Sequence, residues 1–184
     1  VSLQVHAGEV VGIAGVSGNG QKELMYALSG EDTRADAGSI RVVDQTSGYS
    51  VGQFSPTQRR ALGLQFVPEE RLGRGAVPNL SLAQNLLLTR SNAVAKFGWI
   101  RVDDLKKQAE RIIADFKVKA SGPNATAKSL SGGNLQKFIM GREIDAAPRL
   151  LIVSQPTWGV DVGAAAQIRG AILALRDAGC AVLA

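Results

Sequence analysis

The sequence is poor in the features that mark several common protein classes. It has one cysteine, Cys180, so no internal disulfide can form and a reducing cytoplasm fits. It has one histidine, His6, beside Ala7 and Gly8, which reads as a surface residue. No apolar run, 10–16 and 150–153 included, approaches the roughly 18 residues of a membrane span. The formal net charge is +5, yet no Lys/Arg-rich run marks a nucleic-acid arm. With 45% hydrophobic and 20% charged residues, the composition excludes a disordered tail, a coiled coil and a collagen-like repeat. For 184 residues one domain is the default. The chain opens on Val1 and stops at Ala184 inside an apolar run, which reads as a fragment of a longer protein.

What is present is glycine, 21 residues of it, set between alternating strand and helix signals. Residues 9–14 (EVVGIA) read as a strand, then a glycine cluster, then a helix over 22–28. Residues 39–43 read as a strand. Ser55 and Pro56 open a helix ending near Gly63, and 64–67 is a strand stopped by Pro68. Residues 79–128 carry helix signals with little strand. Ser81 caps a helix to about Thr89, and 103–116 places Leu105, Ala109, Ile112, Ile113 and Phe116 on one face, its charges a solvated face. Residues 120–126 read as loop. Alternation then resumes: a helix from Asn134 to about Ala146, a strand at 149–153, a helix striped by Ala165, Ile168, Ile172 and Leu175, and a strand from Cys180. Strands separated by helices imply parallel pairing with right-handed crossovers.

Three segments carry chemistry. The first is Gly15-Val16-Ser17-Gly18-Asn19-Gly20-Gln21-Lys22, between a strand and a helix. Backbone N–H groups and a helix N-terminus cradle phosphates in this setting. Gly15 and Gly20 keep the spacing G-x-x-x-x-G-K-[ST], but Gln21 and Lys22 replace the lysine and the hydroxyl residue. A neutral amide supplies no charge to the phosphates, and an ammonium repels Mg²⁺. Alone, the cluster also reads as a turn with no ligand. The second is Leu130-Ser131-Gly132-Gly133-Asn134-Leu135-Gln136-Lys137, where a hydroxyl and two unobstructed amides open a helix. The bland alternative is a flexible helix cap. The third is 150–157 (LLIVSQPT), an apolar strand ending in Ser154 and Gln155. A Walker B strand carries carboxylates there; neither side chain here holds a metal strongly or acts as a general base. The alternative is a core strand ending in a turn.

Together and in this order, the three segments resemble the nucleotide-binding domain of ABC transporters. The LSGGN-x-QK octet and the following QPTWGVDVGA are most similar to the second of two fused ATPase domains in simple-sugar and nucleoside importers. Ser154-Gln155-Pro156-Thr157 leans toward the nucleoside, or basic-membrane-lipoprotein, branch. The resemblance covers essentially the whole chain. It implies an α/β P-loop NTPase fold with a parallel sheet core, an antiparallel N-terminal portion and a helical subdomain over 78–129. It implies a cytoplasmic position at the membrane. Expected partners are a second ABC ATPase domain, N-terminal in the same full-length chain, membrane-spanning permease subunits, and a substrate-binding protein indirectly; no nucleic acid is expected. Glu69 falls at the Q-loop glutamine, and Asp161 at the D-loop aspartate. The adenine-stacking aromatic is expected before Val1 and the switch histidine after Ala184.

The cofactor implied is ATP, with Mg²⁺ at the partner's site and poorly served at this chain's own. Gln21, Lys22, Glu69, Ser154 and Gln155 all stand at positions that handle Mg²⁺, γ-phosphate or the attacking water. The cradle (Gly15, Gly18, Asn19, Gly20) and the signature (Ser131, Gly132, Gly133) are intact. ABC domains pair head to tail, so the expectation is a degenerate site of its own and a signature acting in trans. On this reading the isolated domain does not hydrolyse ATP, and the Lys22 ammonium partly replaces the charge of Mg²⁺. A non-catalytic regulatory or dimerisation module is the alternative. A DNA-repair ABC ATPase is disfavoured, because the interval from Gly20 to Ser131 lacks sustained heptads and no basic stripe is present. Trp158 reads as a dimer contact or a turn anchor. Trp99 and Phe97 read as packing or permease contacts, and Cys180 as a small core side chain.

Overall fold

The computed structural model describes residues 2–16, 18–43, 47–96 and 99–184. A four-stranded parallel sheet forms the centre, in the order β1 (Val10–Val11), β8 (Ala181–Leu183), β7 (Leu150–Val153) and β4 (Leu64–Val67). All four residues of β4 are buried, and β7 and β8 are buried nearly throughout. Such continuous apolar runs suit a sheet covered on both faces. The register aligns Leu64 with Leu150 and Val67 with Val153, so β4 and β7 end together.

The expected strand over 9–14 is cut to two residues. Main-chain bonds still continue beyond it, with the Ile13 N–H donating to Ala184 C=O at 2.7 Å. An antiparallel pair, β2 (Arg41–Val43) and β3 (Gly48–Ser50), stands apart from the main sheet. The largest apolar cluster joins the sheet to two helices. It contains Val67, Leu151, Val153 and Val182 from the strands. Ile139 and Met140 come from α6 (Gly132–Ile144), and Ile168 and Ile172 from α7 (Val162–Asp177). Cys180 lies in this cluster, and burial pushes its thiol pKa up to about 11.

Local chemistry explains the helix starts. Ser55 and Gln58 form a reciprocal capping box at α2 (Pro56–Ala61), and Pro56 fits the first turn. Ser81 and Gln84 repeat the device at α3 (Leu82–Asn85). The helix expected to run from Ser81 to Thr89 breaks at Leu86. Its continuation, α4 (Leu87–Val94), has a non-helical residue, Arg90. A two-stranded antiparallel pair, β5 (Ala95–Lys96) with β6 (Trp99–Ile100), follows. This corrects the expectation of little strand in that region. Phe97 lies outside the described residues.

The long amphipathic helix α5 (Val102–Asp115) packs Leu105, Ala109 and Ile112 against Leu82, Leu86 and Phe138 in a second cluster. Its polar side is not wholly solvated. Gln108 and Arg111 reach Asp145, just past α6, at 3.0 and 2.7 Å, where Arg90 joins them at 2.6 Å. Burial opposes charge on Asp145, but these donors win and hold its pKa below the usual carboxylate value.

Candidate functional site

In a parallel sheet every strand delivers its C-terminal end to the same edge, and ligands bind there. Here the loops leaving β1, β4 and β7 surround a cavity of about 500 Å³. That volume falls within the range of small-molecule sites, about 300–1,000 Å³. Gly15, Gly18, Gly20, Gln21 and Lys22 line it from the first loop, Glu69 and Glu70 from the second, and Ser154 and Gln155 from the third. The sequence-predicted residues of the chain's own site are thus brought together around it, except Asn19, which does not line the cavity.

The glycine loop is shaped for an anion. Gly18 and Gly20 have φ of 91° and 88°, a left-handed region that side chains oppose. Gly20 is the N-cap of the next helix, α1 (Gln21–Ser29), and no side chain caps its first amides. Those amides are the phosphate donors of a P-loop. Gln21, however, lies across the loop. Its Nε2 donates to Val16 C=O at 2.9 Å, and its Oε1 accepts from the Asn19 N–H at 3.1 Å. A Cβ on Gly15 would stand 2.5 Å from the Gln21 Nε2. The side chain thus occupies one cradle donor and brings no charge.

Lys22 is committed elsewhere. Its Nζ pairs with the Glu70 Oε1 at 2.8 Å, and the Arg74 Nη1 holds the Glu70 Oε2 at 2.7 Å. Arg74 also pairs with Glu31 and lies over the Tyr26 ring, 4.5 Å from its centroid. The hydrogen bond from Lys22, aided by Arg74, lowers the Glu70 pKa to about 2. The sequence resemblance singled out Glu69, at the Q-loop position, and foresaw no carboxylate partner for Lys22. Glu69 lines the cavity but is exposed, and its neighbour Glu70 takes the lysine. An acidic pair after a strand facing a lysine in a glycine loop was the available signal.

The Lys22 ammonium and the Ser154 hydroxyl give Mg²⁺ no carboxylate at their positions, while the carboxylates that line the cavity are those of Glu23, Glu69 and Glu70. The family's metal lies between a P-loop hydroxyl and a Walker B carboxylate. An ammonium and Ser154 stand at those places, and no cluster of metal-binding side chains occurs among the described residues. Gln155 has φ of 49°, a conformation rarely adopted outside glycine, and its C=O accepts from the Trp158 N–H at 3.1 Å in a turn.

The signature residues do not line this cavity. Ser131 is the N-cap of α6; its Oγ accepts from the Asn134 N–H at 3.4 Å and the Asn134 Nδ2 at 2.9 Å. Ser131 and Gly132 are exposed. Asp161 caps α7, its Oδ1 accepting from the Ala164 N–H at 2.8 Å, and this bond lowers its pKa. A Cβ on Gly133 would lie 3.8 Å from the Asp161 Oδ2, so the two motifs form one surface. Trp158 beside them is 59% exposed, so it does not anchor the turn by burial.

The fold and this phosphate cradle define an ATP-binding cassette. The fold matches the dimeric ATP-binding cassette MJ0796 bound to ADP and Pi, with a TM-score of 0.76 at 20% identity over 98% of this chain and 75% of that one. A nucleotide-free cassette from an ABC transporter gives 0.75 at 23% identity, over 100% of this chain and 72% of that one. The sequence profile of the ABC transporter family matches residues 1–158, and the chain belongs to that family. It is 40% identical over 185 residues to the nucleoside import ATP-binding protein NupA of Lactococcus lactis, covering all of this chain and 36% of NupA. The ribose import ATP-binding protein RbsA of Halalkalibacterium halodurans is 36% identical over 183 residues, with all of this chain and 36% of RbsA covered. The glucose import ATP-binding protein TsgD13 of Haloferax volcanii is 42% identical over 187 residues, with all of this chain and 33% of TsgD13 covered. The chain thus spans about a third of the length of these curated relatives. Among the described residues no helix is long and apolar enough to cross a membrane.

Proposed function

We propose that the chain is an energy-coupling domain of an ABC importer for nucleosides or simple sugars, at the cytoplasmic face of the membrane. It works with a second ATPase domain, permease subunits and, indirectly, a substrate-binding protein. It holds nucleotide weakly at its own cavity and serves catalysis through its signature. The observation that carries this reading is the contrast between two surfaces. Gln21, Lys22, Ser154 and Gln155 supply neither a carboxylate to hold a metal strongly nor a general base at the cavity. Ser131, Gly132 and Gly133 meanwhile present an unobstructed helix start on an exposed face.

At the chain's own site, the first amides of α1 and the Gly18–Gly20 turn would hold phosphate oxygens. The side chains then set its strength. Lys22 and Arg74 face Glu23, Glu69 and Glu70, so the cavity offers a polyphosphate no net positive charge. Gln21 must also release the Asn19 N–H. Both features weaken binding. Lys22 can turn from Glu70 to a phosphate, because Arg74 remains to hold the carboxylate. The opposite site would be completed by Ser131, Gly132, Gly133 and Asp161, acting on ATP held by the partner domain. There, N–H donors fixed before reaction stabilise charge that develops on the γ-phosphate.

The test is ATP turnover by the complete two-domain protein carrying Ser131→Arg. An arginine at the N-cap fills the helix start and removes the hydroxyl. Turnover is expected to fall to background. Wild-type turnover in that variant would sink the assignment. An isolated domain that hydrolyses ATP would show that the cavity has been misread.

A further inference from the structure

Arg71 follows Glu70 directly, but its side chain leaves the cavity and crosses to the other surface. Its main chain is fixed by a tight turn, in which the Gly75 N–H donates to Glu70 C=O at 3.0 Å and the Ala76 N–H to Arg71 C=O at 2.7 Å. The Nε donates to the Gln136 Oε1 at 3.0 Å, and the Nη2 donates to Trp158 C=O. Gln136, 1% exposed, donates in turn from its Nε2 to Pro156 C=O at 3.3 Å. Two glycines make room for the guanidinium. A Cβ on Gly132 would lie 2.8 Å from the Arg71 Nη1, and one on Gly159 would lie 3.4 Å from its Nη2. The loop after β4, the signature turn and the segment 156–159 therefore meet at one planar cation.

We propose that Arg71 is a positioning residue that, with Gln136, locks the signature turn and the segment before Asp161 into one geometry toward the partner's nucleotide. This rests on the reading that Ser131–Gly133 serves a nucleotide in trans. The physical reason for arginine is the fork. One face of the guanidinium meets a side-chain amide and another meets a main-chain carbonyl, at fixed angles. A lysine offers one nitrogen and cannot hold both. Because Arg71 adjoins Glu70, and Glu70 holds Lys22 of the glycine loop, the same residue joins the chain's own cavity to its outward surface.

The experiment uses the complete two-domain protein with its permease. Arg71→Lys, Arg71→Met, Gln136→Met and the Arg71→Met/Gln136→Met double variant are compared with Ser131→Arg. Turnover, KM for ATP and melting temperature are measured for each. Both Arg71 variants are expected to lose about tenfold or more in kcat while KM stays within about twofold, the pattern of an interaction realised in the transition state. Lysine is expected not to rescue. The double variant is expected to lose no more than Arg71→Met alone, because the pair acts as a unit. Wild-type turnover in the Arg71 variants beside a dead Ser131→Arg protein would overturn this proposal and leave the trans reading standing. Active Ser131→Arg protein would remove the trans reading itself. Additive losses, or a lowered melting temperature with kcat restored on cooling, would reduce Arg71 to a scaffold residue and overturn the proposal.

Discussion

Arg59 offers the sharpest quantitative check on how the glycine loop is held. It lies in α2, does not line the cavity, and has 0% of its surface exposed. Its guanidinium donates to Ala27 and Leu28 C=O at 2.6 Å each, to Phe54 C=O at 3.0 Å and to Gly52 C=O at 3.1 Å. Two of these acceptors are the unsatisfied carbonyls at the C-terminal end of α1, the helix whose other end forms the cradle. Burial lowers the Arg59 pKa, yet the carbonyl dipoles keep the cation in place. Arg59→Met retains apolar volume and takes the donor from four carbonyls, that of Gly52 buried and the other three half-buried. Hydrogen bonds from a charged donor contribute about 1.5–3 kcal/mol each, and they are not additive when one group makes them all. Leaving an acceptor unsatisfied costs about 1–3 kcal/mol, and the four losses are less than additive, so ~4 kcal/mol is expected. The assay is amide hydrogen exchange of the complete protein. The Gly30 and Asp32 amides both donate to Tyr26 C=O, at 3.1 and 3.0 Å, and report on this end of α1. At about 1.4 kcal/mol per tenfold, their exchange should accelerate by up to about a thousandfold. Arg59→Lys should lose about half as much free energy, because one nitrogen reaches fewer acceptors. Unchanged protection at Gly30 and Asp32 in Arg59→Met would refute the reasoning.

Two further predictions concern the cavity. Nucleotide binding by the chain's own site should survive chelation of Mg²⁺, because an ammonium held by Glu70 stands where the metal's hydroxyl ligand would be; a large loss of affinity in EDTA would count against it. The Glu70 carboxylate titrates below its ordinary value of 4.5, at about 2, so its ion pair stabilises the fold fully above about pH 4.5. That contribution is lost as pH falls through about 2, and a carbon-13 titration of Glu70 with a midpoint near 4.5 would contradict the pairing with Lys22.

The readable parts of the sequence were those whose cause is local. Ser55-Pro56 announces α2 because cap and proline act within one turn. The strand Leu64–Val67 was placed to the residue by an apolar run bounded by Gly63 and Pro68. Part of the cavity lining was legible, since Glu69, Ser154 and Gln155 stand just past strand ends and the glycine loop stands between a strand and a helix, whereas Glu23, Tyr26, Glu70 and Arg74 were not singled out. What escaped notice depends on distant partners. Arg59 meets carbonyls of α1, and Arg71 meets Gln136 and Trp158; nothing near either residue in sequence announces them. The pairing of Glu70 with Lys22 escaped notice because the side of a turn on which a side chain emerges is set by the turn itself. The β5–β6 pair was missed because two-residue strands carry no periodicity.

The parallel register has one more consequence. Gln21, Glu69 and Gln155 lie past the last rungs of the ladder they follow, and Ser154 joins it only through its main-chain N–H, which donates to Val67 C=O at 2.9 Å. Chemistry at these positions can be rewritten one letter at a time while the sheet beneath goes on folding. A domain built this way can change the chemistry of its cavity without changing its fold.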